Sequence, residues 1–78
     1  MGTIRKVFAS SSNKRYFIGY SSGLLELRTS TNFEIETTFQ DLGDIIDITS
    51  DDKTFVVISN TSGELIYIAF SDQTKTIL

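Results

Sequence analysis

The sequence predicts an all-β protein built as two consecutive four-stranded antiparallel units, and three observations carry that prediction. First, the chain repeats itself. Ser21-Ser22-Gly23-Leu24-Leu25-Glu26-Leu27 returns as Thr61-Ser62-Gly63-Glu64-Leu65-Ile66-Tyr67, with the two glycines forty positions apart. Second, apolar and β-branched runs alternate with short clusters of Gly, Asn, Asp and Ser, and no stretch keeps a helical apolar period. Third, twenty Ser and Thr residues, six Phe, three Tyr and no Pro favour strands and polar turns over helices.

Taken in order, the predicted strands cover residues 4–9, 15–20, 24–29 and 33–39, then 45–49, 54–59, 64–70 and 74–78. The first rests on Val7-Phe8-Ala9-Ser10-Ser11, which returns thirty-nine positions on as Ile46-Asp47-Ile48-Thr49-Ser50. Lys14 returns as Lys53 at the same offset, and a one-residue insertion near Asn60 reconciles the two spacings. The second and third strands of each unit are apolar on consecutive residues: Tyr16-Phe17-Ile18, Leu24-Leu25, Phe55-Val56-Val57-Ile58 and Leu65-Ile66-Tyr67-Ile68. A strand apolar on both faces needs cover on both. The fourth strand alternates instead, with Phe33, Ile35, Thr37 and Phe39 on one face and Glu34, Glu36 and Thr38 on the other, as a half-solvated strand does. Every connection is short, so consecutive strands pair antiparallel.

Composition narrows the function. At 78 residues a single core is small. A net charge of −3 with seven scattered Lys and Arg residues argues against nucleic acid. Without Cys or His the chain can form no disulfide, thiolate metal site or imidazole-assisted nucleophile. No apolar run is long enough for a membrane helix, and the opening residues lack the apolar core of a signal peptide. No membrane association is expected, and the expected setting is intracellular, in the cytoplasm.

A period of about forty to forty-five residues built from short strands is the spacing of propeller blades. The run from Asp44 through Ile45-Ile46-Asp47-Ile48 and Phe55-Val56-Val57-Ile58 to Ser59 resembles the innermost strand, turn and second strand of the WD-repeat β-propeller superfamily. Ser22-Gly23-Leu24-Leu25-Glu26-Leu27 and Ser62-Gly63-Glu64-Leu65-Ile66-Tyr67-Ile68 are similar to that family's Gly-led third strand. The likeness covers nearly the whole chain as two blades, residues 1–40 and 41–78. It departs where Leu42-Gly43-Asp44 replaces the family's Gly-His pair, and where Arg28-Thr29 and Ala69-Phe70 replace its Trp-Asp. The buried His–Ser/Thr–Asp–Trp network therefore has no counterpart. The resemblance implies two four-stranded antiparallel propeller blades, a rigid scaffold that grips partners through its loop rims. A closed ring takes roughly four to eight blades. Two blades make an incomplete ring with uncovered apolar faces, so the chain is expected to be a homo-oligomer or part of a larger propeller.

Little in the sequence points to chemistry. Asp41, Asp44, Asp47, Asp51 and Asp52 match no calcium-loop spacing, and on a propeller Asp41 and Asp44 fall on the rim opposite Asp51 and Asp52. Neither a metal nor a cofactor is expected. Glu26, Glu34, Glu36 and Glu64 read as solvated faces. Tyr16, Phe17, Tyr20, Phe55 and Phe70 read as core, with Tyr20 also placed for a rim contact. No catalytic residue is expected. The rim residues are Tyr20, Ser21, Gln40, Asp41, Asp44, Asn60 and Thr61, and their acidic loop favours a basic peptide or protein surface. The alternative is a structural unit that completes a ring with further copies, and the third and least favoured reading is a propeller-type hydrolase.

Overall fold

The computed structural model describes residues 2–9, 15–51 and 53–78. Ser10, Ser11, Ser12, Lys14 and Asp52 lie outside the described residues. The strands are β1 (Ile4–Ala9), β2 (Arg15–Tyr20), β3 (Leu25–Thr29), β4 (Ile35–Phe39), β5 (Ile45–Ser50), β6 (Phe55–Asn60), β7 (Leu65–Ala69) and β8 (Lys75–Ile77). They form two antiparallel four-stranded sheets, β1-β2-β3-β4 and β5-β6-β7-β8. Among the described residues there is no helix, and so none long and apolar enough to cross a membrane.

The repeat is reproduced turn for turn. Gly23 N donates to Tyr20 O and Tyr20 N to Leu24 O, as Gly63 N donates to Asn60 O and Asn60 N to Glu64 O. Phe33 and Gln73, forty positions apart, both adopt left-handed backbone, with φ of 59° and 58°. One expected spacing is corrected. Val7 pairs with Ile18 whereas Ile48 pairs with Ile58, and the first strand of each sheet carries a bulge, at Arg5 and at Ile46. Val7 is therefore the counterpart of Ile48 rather than Ile46. A two-residue slip leaves every side chain on its own face, so the apolar pattern is blind to it. The odd residue falls between the first and second strands of each unit, not near Asn60: residues 10–14 connect β1 to β2 and 51–54 connect β5 to β6.

The sheets stack face to face. Phe17, Leu25, Leu27 and Phe39 from the first meet Ile45, Ile48, Val56, Ile58, Ile66 and Ile68 from the second, with Leu42 of the linker between them. Gly19 permits the approach, because a Cβ there would lie 2.6 Å from Ile45 Cγ2. In the middle strands of the first sheet consecutive residues are buried, from Phe17 to Tyr20 and from Leu25 to Leu27. In β6 and β7 only alternate residues are buried, whereas on the outward side of the first sheet Ile18, Tyr20 and Glu26 are buried as well. β4 departs from strict alternation: Leu27 pairs with Thr37 but Arg28 with Ile35, and the extra residue leaves Ile35 about half exposed. Phe33 sits in the preceding turn rather than the strand.

At the end of the sheets away from the linker, two aspartates organise turns. Asp51 accepts hydrogen bonds from the Thr54 hydroxyl and from the backbone N–H groups of Thr54, Lys53 and Phe55. Asp72 accepts from the Thr74 N–H and hydroxyl. These bonds hold both carboxyls below the usual carboxylate range. A depressed folded pKa stabilises above the unfolded value of about 4. That stabilisation is lost as pH falls through the lower folded value. The gap in thermal midpoint between wild type and Asp51→Ala is therefore expected to be full at neutral pH and to shrink steadily under acid. A gap independent of pH would show that the carboxylate's charge is immaterial to the turn.

Candidate functional site

Three loops meet at the opposite end: the β2–β3 turn, the linker from β4 to β5, and the β6–β7 turn. Backbone bonds lock them together. Thr61 N donates to Asp44 O and Leu42 N to Gly23 O at 3.1 Å, and Ser21 N donates to Thr3 O just ahead of β1. Gly23 has φ of 91°, and a Cβ there would lie 3.1 Å from the backbone nitrogens of Leu42 and Gly43. Only glycine lets turn and linker approach so closely. Asn60 fastens the other side. Its amide donates to Leu42 O at 2.9 Å and to Glu64 Oε1 at 3.0 Å, and its Oδ1 accepts from Ser62 N and Glu64 N.

Between the β2–β3 turn and the linker lies an open depression of about 310 Å³ lined by Ser22, Gly23, Leu24, Gln40 and Asp41. Of the seven rim residues expected from sequence, Gln40, Asp41 and Thr61 are exposed and Ser21 is half-buried. Asp44 is half-buried beside Arg5, with Oδ1 3.0 Å from Nε in an ion contact that lacks hydrogen-bond alignment. The negative character of the depression thus rests on Asp41. Tyr20 and Asn60 are buried, and the structure uses both side chains internally. Their contribution to a rim is to shape the loops.

One polar constellation differs from the sequence expectation. Glu26, read as a solvated glutamate, is buried, with 2% of its surface exposed. The Tyr20 hydroxyl donates to its Oε1 at 2.8 Å and Arg28 Nε at 3.1 Å. Arg28 also donates to Phe33 O and lies 4.8 Å over the Phe33 ring, which meets Tyr16 edge-on. Burial first, and then the bond to Glu26, push the Tyr20 phenol upward. The signal was legible: Glu26 sits between Leu25 and Leu27, and its repeat counterpart is Ile66. A carboxylate at a position that its repeat fills with isoleucine has to bring its own partners.

The acidic residues do not converge. Asp41 and Asp44 lie at the linker end, and Asp51 and Asp72 serve turns at the other. Among the described residues no group of three or more potential ligands is placed to hold a metal ion. Compared with known protein families, curated proteins and solved structures, the chain matches none of them.

Proposed function

We propose that the chain is a non-catalytic protein-interaction module, two propeller-type blades whose common loop rim receives a basic peptide or partner surface. The observation that supports this reading is an open depression between the β2–β3 turn and the linker, two loops tied by the Leu42 N to Gly23 O bond, with Asp41 in its wall. Loops already tied to one another lose little further entropy when a partner docks. A single carboxylate beside Ser22 and Gln40, whose backbone carbonyl already accepts from the Lys75 ammonium at 2.9 Å, suits a Lys or Arg side chain of that partner. Titration of a labelled oligolysine peptide is the test. Asp41→Lys is expected to weaken its binding by about tenfold at low salt, the scale of reversing one exposed charge. Unchanged affinity would overturn the reading. Asp44→Lys is the poorer probe because it also breaks the contact with Arg5.

A second reading has its own support. Ile4, Val7, Ile35 and Leu65 lie about half exposed on the outward sides of the sheets, as a structural unit awaiting further blades would leave them.

A further inference from the structure

We propose that copies of this chain stack head to tail, the outward face of the β1–β4 sheet of one copy docking on the outward face of the β5–β8 sheet of the next. The inference rests on the reading of the two sheets as repeated blades and names their partner.

Pairing matches Ile18 with Ile58, Gly19 with Ser59, Leu25 with Leu65, and, through the shared bulge, Ile4 with Ile45 and Val7 with Ile48. The junction inside the chain joins unlike faces. The first sheet offers the side bearing Phe17, Gly19 and Leu25, and the second offers the side bearing Ile45, Ile48 and Ile58. The face left open on each sheet is therefore the counterpart of the face already buried on the other. An interface between unlike faces repeats from copy to copy, whereas a two-fold contact would have to join like faces.

Exposure follows the same logic. Ile45 and Ile48 are 0% and 2% exposed at the internal junction, and their counterparts Ile4 and Val7 are 53% and 52% exposed. Leu25 is fully buried while Leu65 is 48% exposed. The site over Gly19 that Ile45 and Ile48 fill corresponds to the site over Ser59, whose side chain holds a second copy further out than the internal sheets lie from each other. There the outward face has a depression of about 90 Å³ lined by Asp47, Thr49, Val57, Ser59 and Leu65. Ile4 and Val7 of a second copy are the side chains that would enter it.

Charge selects the same partner. At the internal junction Lys6 Nζ lies 3.6 Å from Asp47 Oδ1. Lys6 pairs with Gly19 and Asp47 with Ser59, so these two residues are themselves counterparts. Stacking a second copy therefore sets Asp47 of the first against Lys6 of the second, the same attraction with its signs exchanged. Two like charges here would have opposed every added copy. Glu26 brings no unpaired charge to the contact, since Tyr20 and Arg28 already hold it.

Sedimentation velocity over a micromolar to sub-millimolar series tests the stack. Wild type is expected to exceed the 8.7 kDa monomer increasingly with concentration. Val7→Glu and Leu65→Glu, each at an exposed position, should remain monomeric alone. Mixed, they should form a one-to-one complex and go no further, because each retains the face the other needs. Ile4→Glu substitutes for Val7→Glu if circular dichroism shows that variant unfolded. A folded monomer for wild type throughout, or either variant pairing with itself, overturns the proposal. A closed species of few copies agrees with the blade reading, whereas open-ended growth keeps the stack and removes the ring.

Discussion

Phe17→Ala is expected to lower the free energy of unfolding by about 3–5 kcal/mol, measured as a shift in denaturant midpoint at unchanged slope. Phe17 is fully buried where the sheets meet. Its ring lies edge-on to Phe8 at 5.9 Å and stacks on Phe70, in the turn after β7, at 6.3 Å. Truncation forfeits the transfer energy of the ring and leaves a cavity spanned by two sheets whose backbones are held by their ladders. For a chain of this length total stability is roughly 4–12 kcal/mol, so the variant is expected to lose at least a quarter of it. The comparison that gives the result meaning is Val57→Ala. Val57 is the counterpart of Phe17 by register, but it lies on the open face of the second sheet. Its truncation should cost about 1 kcal/mol or less, as at partly exposed sites with nothing packed over them. Equal losses at the two positions would contradict the assignment of one face as core and its repeat as surface.

The second large effect belongs to Glu26. Glu26→Ala leaves the Arg28 guanidinium and the Tyr20 hydroxyl without their acceptor beneath a nearly closed surface. Removing one member of a buried pair costs about 3–5 kcal/mol. The lower end applies here, because 21% of the Arg28 side chain is in contact with solvent. The paired replacement Glu26→Ile with Arg28→Ile installs what the second sheet already carries at Ile66 and Ile68. That double variant is expected to recover most of the single variant's loss and to stay about 1–3 kcal/mol short of the full gain of an apolar replacement, because the buried Tyr20 hydroxyl still lacks its acceptor. Urea unfolding of the single and double variants separates the outcomes. A double variant as unstable as the single one would mean that the cluster is needed for more than its own neutralisation.

The eight strands could be read from the chain because their evidence is local. Period-two apolar alternation and turn residues act within a few positions, and structure moved the strand ends by no more than two residues at any end. The gathering of residues 21–23, 40–44 and 60–63 at one rim followed from antiparallel order alone. Side-chain availability did not follow. Tyr20 and Asn60 stand at strand ends beside turns, where exposure is the ordinary expectation. Their burial comes from partners six and eighteen residues away, Glu26 and Leu42. The bulge in β4 was equally hidden, since Phe33, Ile35, Thr37 and Phe39 alternate perfectly in sequence. The break appears only when β3 sets the partner of each residue.

Strand count, strand direction and the fact of duplication are thus properties of the one-dimensional pattern, because backbone geometry converts a period of two directly into two faces. Which of those faces becomes interior is not. Leu25 and Leu65 stand at the same place in the same repeated motif, yet one is sealed and the other half open. The difference is whether a second sheet lies over them, and a pattern that repeats identically in each unit holds no record of its neighbour.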